Sequence, residues 1–292
     1  MFPSSIEEVV TWFRQTGYIA DRGLAIAVHL SLQLSRPLFL EGEAGVGKTE
    51  VAKVLSSVLG QPLIRLQCYE GLDVSQALYE WDYARQMLAI RLAEAAGHGT
   101  EVHDIMSRRY LIARPLLQAV ETAADGSRPV LLIDELDRAD EEFEAFLLEL
   151  LSDFQVTIPE VGVIKATHPP VVVLTSNRTR EIHDALKRRC IYHWIDYPQL
   201  EREAEIVRTR VPDIDQRLAR QLAAAMQRFR ELGLFKPPGV AETLDWAESL
   251  KVLGVSELDA AVIEDSLGVI LKYREDHDEV KRVGLDHVLT GT

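Results

Sequence analysis

The sequence predicts a two-part α/β protein: a domain built on a parallel sheet, then a domain of helices alone. Three observations carry that expectation. The stretch PLFLEGEAGVGKTEVAK (37–53) passes from an apolar strand through a glycine-rich turn into a helix. Two further runs, PVLLID (129–134) and PPVVVLTSN (169–177), are continuously apolar without alternation, as parallel strands covered on both faces are. Beyond Pro198 such runs stop, and Leu/Ala/Arg/Glu-rich helical stretches continue to the C-terminus. The expected boundaries are 1–197 for the α/β domain and 198–292 for the helical one.

The elements follow in order. Ser5 and Glu8 stand at capping-box spacing, and Ile6, Val9, Val10 and Phe13 recur at helical spacing behind them. A second helix is expected from about Asp21 to before Pro37. After the glycine-rich turn, Val51, Val54, Leu55, Val58 and Leu59 trace one helix face that stops at Gly60 and Pro62. LIRLQ (63–67) reads as a strand. Residues 72–128 are expected to be mostly helical, broken near Gly97, Gly99 and Gly126. Phe143, Phe146, Leu147, Leu150, Leu151 and Phe154 define an amphipathic helix. QVTIPEVGVIKA (155–166) has the form of a β-hairpin turning at Pro159–Gly162, and IYHWIDY (191–197) is the last expected strand. The helical domain is broken at Pro212, at Lys236-Pro237-Pro238-Gly239 and around Gly254.

Composition narrows the function classes. Of 292 residues, 47% are hydrophobic and 27% charged, which fits a packed globular chain rather than a disordered one. Lys and Arg number 32 against 46 Asp and Glu, a net charge of −14. That disfavours a nucleic-acid or anionic-membrane surface and favours protein partners. Cys68 and Cys190 lack metal-ligand spacing and are expected to be reduced thiols. The eight histidines form no ligand motif, and the nearest pair, His98 and His103, is not expected to bind metal. Acidic residues stand where a signal peptide would be basic, and no apolar run reaches about 18 residues. A cytoplasmic location without a membrane span is the expectation.

The chemistry is concentrated in four places. GEAGVGKT (42–49) fits G-x-x-x-x-G-K-[ST] in the required strand–turn–helix context. Such a loop curls backbone N–H groups of Gly42, Glu43, Ala44, Gly45, Val46 and Gly47 around phosphate, and the following helix adds positive potential. Lys48 is expected on the β/γ-phosphates of ATP, and the Thr49 hydroxyl on Mg²⁺. LLIDELDRAD (131–140) delivers Asp134 and Glu135 to the end of a buried strand. Asp134 is expected to hold Mg²⁺, and Glu135 to polarise the attacking water as general base; a helix-capping acid pair is the bland alternative. Asn177, closing VVVLTSN, can orient that water, although Ser-Asn after a strand is also ordinary turn chemistry. DALKRRC (184–190) offers Arg188 and Arg189 at a helix end, where favourable interaction with the helix C-terminus is the competing explanation.

In this order the features resemble the AAA+ ATPases, P-loop NTPases whose core is followed by a helical lid. The resemblance makes Asn177 sensor 1 and Arg189 a finger reaching a neighbouring subunit's site, with Arg188 second in line. It also places Tyr18 and Ile19 near adenine. The hairpin before sensor 1, with LFLEGEAGVGKTEVAK and DELDRADEEFEAFLLELL, is similar to the MoxR family. LIRLQCYEGLDVSQALYEWDYARQMLAIR and KPPGVAETLDW resemble the subgroup linked to maturation of aerobic carbon monoxide dehydrogenase. The working unit that the resemblance implies is a homo-oligomeric ring, a hexamer, that remodels a client enzyme or helps assemble its metal centre. The implied partner carries a von Willebrand factor A domain. A nucleic-acid motor or loader, and a P-loop switch or kinase, are the rival readings. One departure stands out: where AAA+ lids often carry a second sensor arginine, this chain has Gly239 and Val240, with Lys236 as the only nearby cation. Gln67, at the end of LIRLQ, is a candidate partner for Glu135 at rest.

Overall fold

A computed structural model describes residues 2–97 and 102–290; His98 and Gly99, and with them one expected break, lie outside the described residues. Contacts divide the chain into two compact units. One takes the residues up to Ile6, Gly23–Glu41 and Val51–His193; the other takes Glu7–Arg22, Gly42–Glu50 and the chain from Trp194 on.

Helices α1 (Ile6–Gln15) and α2 (Arg22–Leu34) open the chain. Strand β1 (Leu38–Gly42), helix α3 (Lys48–Leu59) and strand β2 (Leu63–Gln67) follow where the apolar pattern put them. The next stretch departs from expectation. Helix α4 (Val74–Leu78) leads into a short strand β3 (Tyr79–Trp81); after α5 (Tyr83–Ala95) and α6 (Val102–Ile105), a strand β4 (Leu111–Ala113) pairs back antiparallel onto β3. Each of the two has three residues, too few to show a period of two. Helix α7 (Pro115–Ala124) follows, started by Pro115 at its first turn.

Strand β5 (Val130–Asp134) is buried throughout. Helix α8 (Glu141–Asp153) is N-capped by Asp140, whose carboxylate accepts from the Phe143 N–H at 2.9 Å, and it ends on Phe154 at φ +46. The hairpin of β6 (Gln155–Ile158) and β7 (Gly162–Lys165) then forms with Ile158 opposite Gly162. Strand β8 (Val171–Ser176), helix α9 (Asp184–Arg189) and strand β9 (Ile191–Ile195) complete the α/β portion.

The main sheet has five strands in the order β2-β5-β8-β1-β9. Pairings β2–β5, β5–β8 and β8–β1 are parallel, with Gln67 level with Asp134 and Glu41 level with Ser176. The interior strands β5, β8 and β1 are wholly buried, whereas edge strand β2 is only partly so, which is why LIRLQ tolerates a charged residue. Leu131 and Ile133 of β5, Val172 and Leu174 of β8, Leu116 and Val120 of α7, and Phe143 and Leu147 of α8 form one apolar core.

The chain from Trp194 on is helical past β9: α10 (Leu200–Arg210), α11 (Gln216–Glu231), α12 (Val240–Val252), α13 (Ala260–Ile270), α14 (Arg274–Val283) and α15 (Leu285–Thr290). Its own core joins Leu222, Met226 and Phe229 of α11 to Trp246 and Leu250 of α12 and Ile263 and Leu267 of α13. The Trp246 indole N–H, fully buried, donates to Ser266 Oγ at 2.8 Å. Among the described residues no helix is long and apolar enough to cross a membrane.

Candidate functional site

The glycine-rich loop belongs to the unit that contains the C-terminal helices. Gly45 (φ +78) and Gly47 (φ +94) take backbone conformations that residues with a Cβ rarely adopt, and this lets the loop close on itself. Lys48 is buried, and its Nζ donates to the carbonyls of Gly42 at 2.7 Å and Glu43 at 2.6 Å, so the ammonium lies across the loop. Helix α3 begins at Lys48, which aims its first N–H groups at the same concavity. Lysine, helix start and glycine turn together fit a nucleotide's phosphates.

Beside the loop lies a cavity of about 230 Å³, formed by residues of this unit alone. Tyr18, Ile19, Val46, Ile195, Val240 and Leu244 give it apolar walls, and Gly45 and Gly47 form its loop side. Burial, more than any neighbouring charge, raises the Tyr18 hydroxyl well above the ordinary tyrosine range, so Tyr18 stays neutral. Arg202 fixes the Tyr18–Asp21 turn: Nε and Nη2 donate to the Ile19 carbonyl at 3.2 and 2.9 Å, and Nη1 to Asp21 at 2.9 Å. Both residues expected near adenine therefore line the cavity next to the loop. Arg202, which holds one of them in place, was not foreseen from the sequence.

The start of α12 is fastened to the loop. Ala241 N–H donates to Gly45 O at 3.2 Å, and a Cβ placed on Gly239 would lie 2.6 Å from Ala44 O. A buried ion pair sets the approach. Arg230 donates to both carboxylate oxygens of Glu203 at 2.7 and 2.6 Å, and its Nε donates to Pro238 O at 2.8 Å. Thr243 Oγ1 donates to Glu203 at 2.6 Å, and Tyr197 lies under the guanidinium. Lys236 is exposed and does not line the cavity.

The paired carboxylates lie in the other unit. Asp134 ends β5 with its side chain 3% exposed. Its Oδ1 accepts from Thr175 Oγ1 at 2.6 Å, and its Oδ2 accepts from Arg65 Nε and Nη2 at 3.0 and 2.6 Å. Thr175 Oγ1 also accepts from the Glu135 N–H at 2.9 Å, so one hydroxyl orders both acids. Glu135 sits at φ +54, a conformation uncommon outside glycine, and its carboxylate meets Arg138 Nη1 at 3.3 Å. Gln67 is not its partner: the Gln67 carboxamide accepts from Arg65 and donates to Cys68 O at 3.5 Å. Arg65, two residues earlier on the same strand, is the β2 side chain that reaches an acid, and that acid is Asp134. Neither Arg65 nor Thr175 was singled out in the sequence, although a charged residue in LIRLQ and a polar one in VVVLT were the available signals.

Asn177 follows β8, partly buried. Its N–H donates to Asp137 Oδ1 at 3.2 Å, and Asp137 also accepts from the Thr179 N–H at 2.9 Å, which fixes the turn. The two arginines of DALKRRC differ. Arg189 Nη1 donates to the Leu148 carbonyl and to Ser152 Oγ at 2.5 Å, on the last turns of α8. Arg188 is exposed, and its side chain makes no hydrogen bond or ion pair among the described residues. Arg36 crosses beneath both, donating to Arg188 O at 2.6 Å and Arg189 O at 3.1 Å, and so satisfies the carbonyls that end α9.

Residues 37–190 match the AAA domain of the dynein-related subfamily. The chain belongs to that family. This AAA protein is 27% identical over 243 residues to the gas vesicle ATPase GvpN of Haloferax mediterranei, covering 80% of this chain and 67% of the relative. It is 26% identical over 214 residues to the gas vesicle ATPase GvpN2 of Halobacterium salinarum, covering 68% and 58% respectively. Among solved structures, a RuvB mutant of Thermotoga maritima superposes with a TM-score of 0.52 at 18% identity, over 99% of this chain and 80% of that one. That likeness concerns the fold alone. The AAA match spans β1 to the end of α9, the segment that carries the loop, both acids, Asn177 and both arginines.

Proposed function

We propose that this AAA protein binds ATP with magnesium, hydrolyses it, and works in the manner of the MoxR ATPases as a homo-oligomeric ring that remodels a protein client. The observation that carries the reading is Lys48 lying across a closed glycine loop, with α3 starting beneath it and an apolar cavity alongside. Lys48 and the loop N–H groups hold the phosphates, and the cavity takes the base. Thr49 and Asp134 are the groups assigned to magnesium, which when bound draws charge from the phosphate oxygens. Among the described residues no three acidic, histidine or cysteine side chains gather as a cage; a magnesium site of one or two protein groups plus phosphates needs none. Glu135 accepts a proton from the attacking water, Asn177 orients it, and Arg189 serves a neighbouring subunit.

The client is assigned by resemblance to an enzyme of the carbon monoxide dehydrogenase type, with a von Willebrand factor A domain protein as co-factor in the remodelling. The gas vesicle ATPases among the relatives favour a second client class, a subunit of a protein assembly. The net charge of −14 speaks against a nucleic-acid track. Lys48→Ala tests the core of the reading: a folded variant should lose ATP binding, and near-normal affinity would refute the phosphate-loop assignment. Stimulation of ATP turnover by DNA, RNA and candidate protein clients separates the rival functions, and co-purification from the host identifies the client.

A further inference from the structure

Arg65 is the one charged side chain on edge strand β2, and it turns toward the acids. Its Nε and Nη2 both donate to the same oxygen, Asp134 Oδ2. A carboxylate oxygen has about two lone pairs, and two N–H groups engage both. Neither a metal nor a metal-bound water can use Oδ2 while the guanidinium keeps both bonds. The exposures of the two partners are unequal: Asp134 is 3% exposed and Arg65 52%. The acid is fixed, held from the other side by Thr175, whereas the guanidinium reaches it from solvent. Gln67 Oε1, on the same strand, gives Arg65 another acceptor to turn to.

We propose that Arg65 is an exchange residue for the metal: it occupies Asp134 Oδ2 when no magnesium is present and withdraws when magnesium enters with nucleotide. This rests on the assignment of Asp134 as a metal group. The physical reason is charge. A buried carboxylate is costly without nearby positive charge, and the Arg65 guanidinium supplies part of that charge in the metal-free chain. Arg65 therefore stabilises the metal-free site and competes with the metal-loaded one.

The test compares affinity for a fluorescent ADP analogue, on the full chain, in excess magnesium and in excess EDTA. Arg65→Gln removes the competitor and the counter-charge together. Its EDTA-to-magnesium ratio of dissociation constants should rise by roughly tenfold, about 1.4 kcal/mol of coupling. Mn²⁺ titrated into the ADP-bound variant and followed by electron paramagnetic resonance should bind correspondingly more tightly. Arg65→Lys, which keeps the charge but not the two-pronged geometry, should give a smaller rise of the same sign and serves if the glutamine variant does not fold. A ratio unchanged in both variants, with the two affinities moving together, would mean that Arg65 only supports the fold, and the proposal fails. If the wild-type chain binds the probe under neither condition, the phosphate-loop assignment itself is lost; wild-type binding with an unchanged ratio in the variants overturns the exchange role alone.

Discussion

Gly239 meets the phosphate loop backbone to backbone: a Cβ on it would lie 2.6 Å from Ala44 O and 2.9 Å from Gly45 Cα. This accounts for a glycine at position 239. No side chain can begin at that position while α12 stays fastened to Gly45 through the Ala241 N–H. The start of α12 meets the loop through main chain, and Arg230, bound to Glu203 and Pro238 behind it, holds the approach in place.

Gly239→Ala is therefore expected to destabilise the protein by about 1–3 kcal/mol, the usual cost of overpacking, and to weaken nucleotide binding. Gly268→Ala is the control, because its Cβ would meet nothing within 4 Å and it lies inside α13. A helix-interior change of this kind is expected to be neutral or stabilising by up to about 1 kcal/mol. Urea unfolding and nucleotide titration of the two variants check the pair. Equal behaviour would mean that the Gly239 approach is not tight in solution.

Glu135→Gln should bind ATP as the wild type does and hydrolyse it about 10²–10⁴-fold more slowly, the range of a general base. Thr175 still orders its backbone N–H, and the glutamine is isosteric, so the fold should survive. Single-turnover hydrolysis alongside nucleotide affinity gives the answer. Wild-type turnover would assign the water to another group.

How much of this was legible in the sequence depends on the size of the pattern. The interior strands and α8 were readable because burial on both faces, or on one helix stripe, leaves a long apolar signature. The β3–β4 ribbon was not, since Tyr79–Trp81 and Leu111–Ala113 are each shorter than any period and pair across a long insertion. The same holds within the site. The loop and the Asp134-Glu135 pair announce themselves as contiguous motifs, but Arg65, Thr175 and Arg202 act through partners far away in the chain. Arg65 reaches Asp134 only because β2 and β5 lie side by side in register, a fact of topology that spacing does not encode.

The thiols offer a test of that topology. Burial first, and then the charges of Asp134, Asp137 and Glu135, push the Cys68 thiol from 9.0 up to about 12; burial does the same for Cys190. The folded state thus favours the protonated thiol. Its contribution to stability is whole below pH 9, where the unfolded thiol is also protonated, and is lost as pH rises toward 12. The fall in urea stability across that window should be shallower in Cys68→Ala than in the wild type. Native thiols should also react with an aromatic disulfide reagent at pH 8 far more slowly than unfolded ones. A native Cys68 that reacts at the unfolded rate would place it outside the core beside β5.

The arginines of α9 decide whether the protein works across subunits. A guanidinium delivered to a neighbour's γ-phosphate is worth about 10³–10⁵-fold in related phosphoryl transfer. Arg189 is proposed for that role, yet in the single chain it is bound to Leu148 O and Ser152 Oγ of α8. To act in trans it must give up those bonds, whereas exposed Arg188 has none to give up among the described residues. The two are separated by mixing. Arg189→Ala and Glu135→Gln subunits should each be nearly inactive alone, and mixed rings should regain partial activity where an intact Glu135 site faces an intact Arg189. The same experiment with Arg188→Ala runs beside it. Normal turnover by Arg189→Ala alone, with loss and rescue in Arg188→Ala, moves the finger one residue back and leaves Arg189 as the tie between α9 and α8. If both arginine variants are inactive and neither is rescued despite verified subunit exchange, catalysis across the interface is excluded, and the arginines act within their own chain.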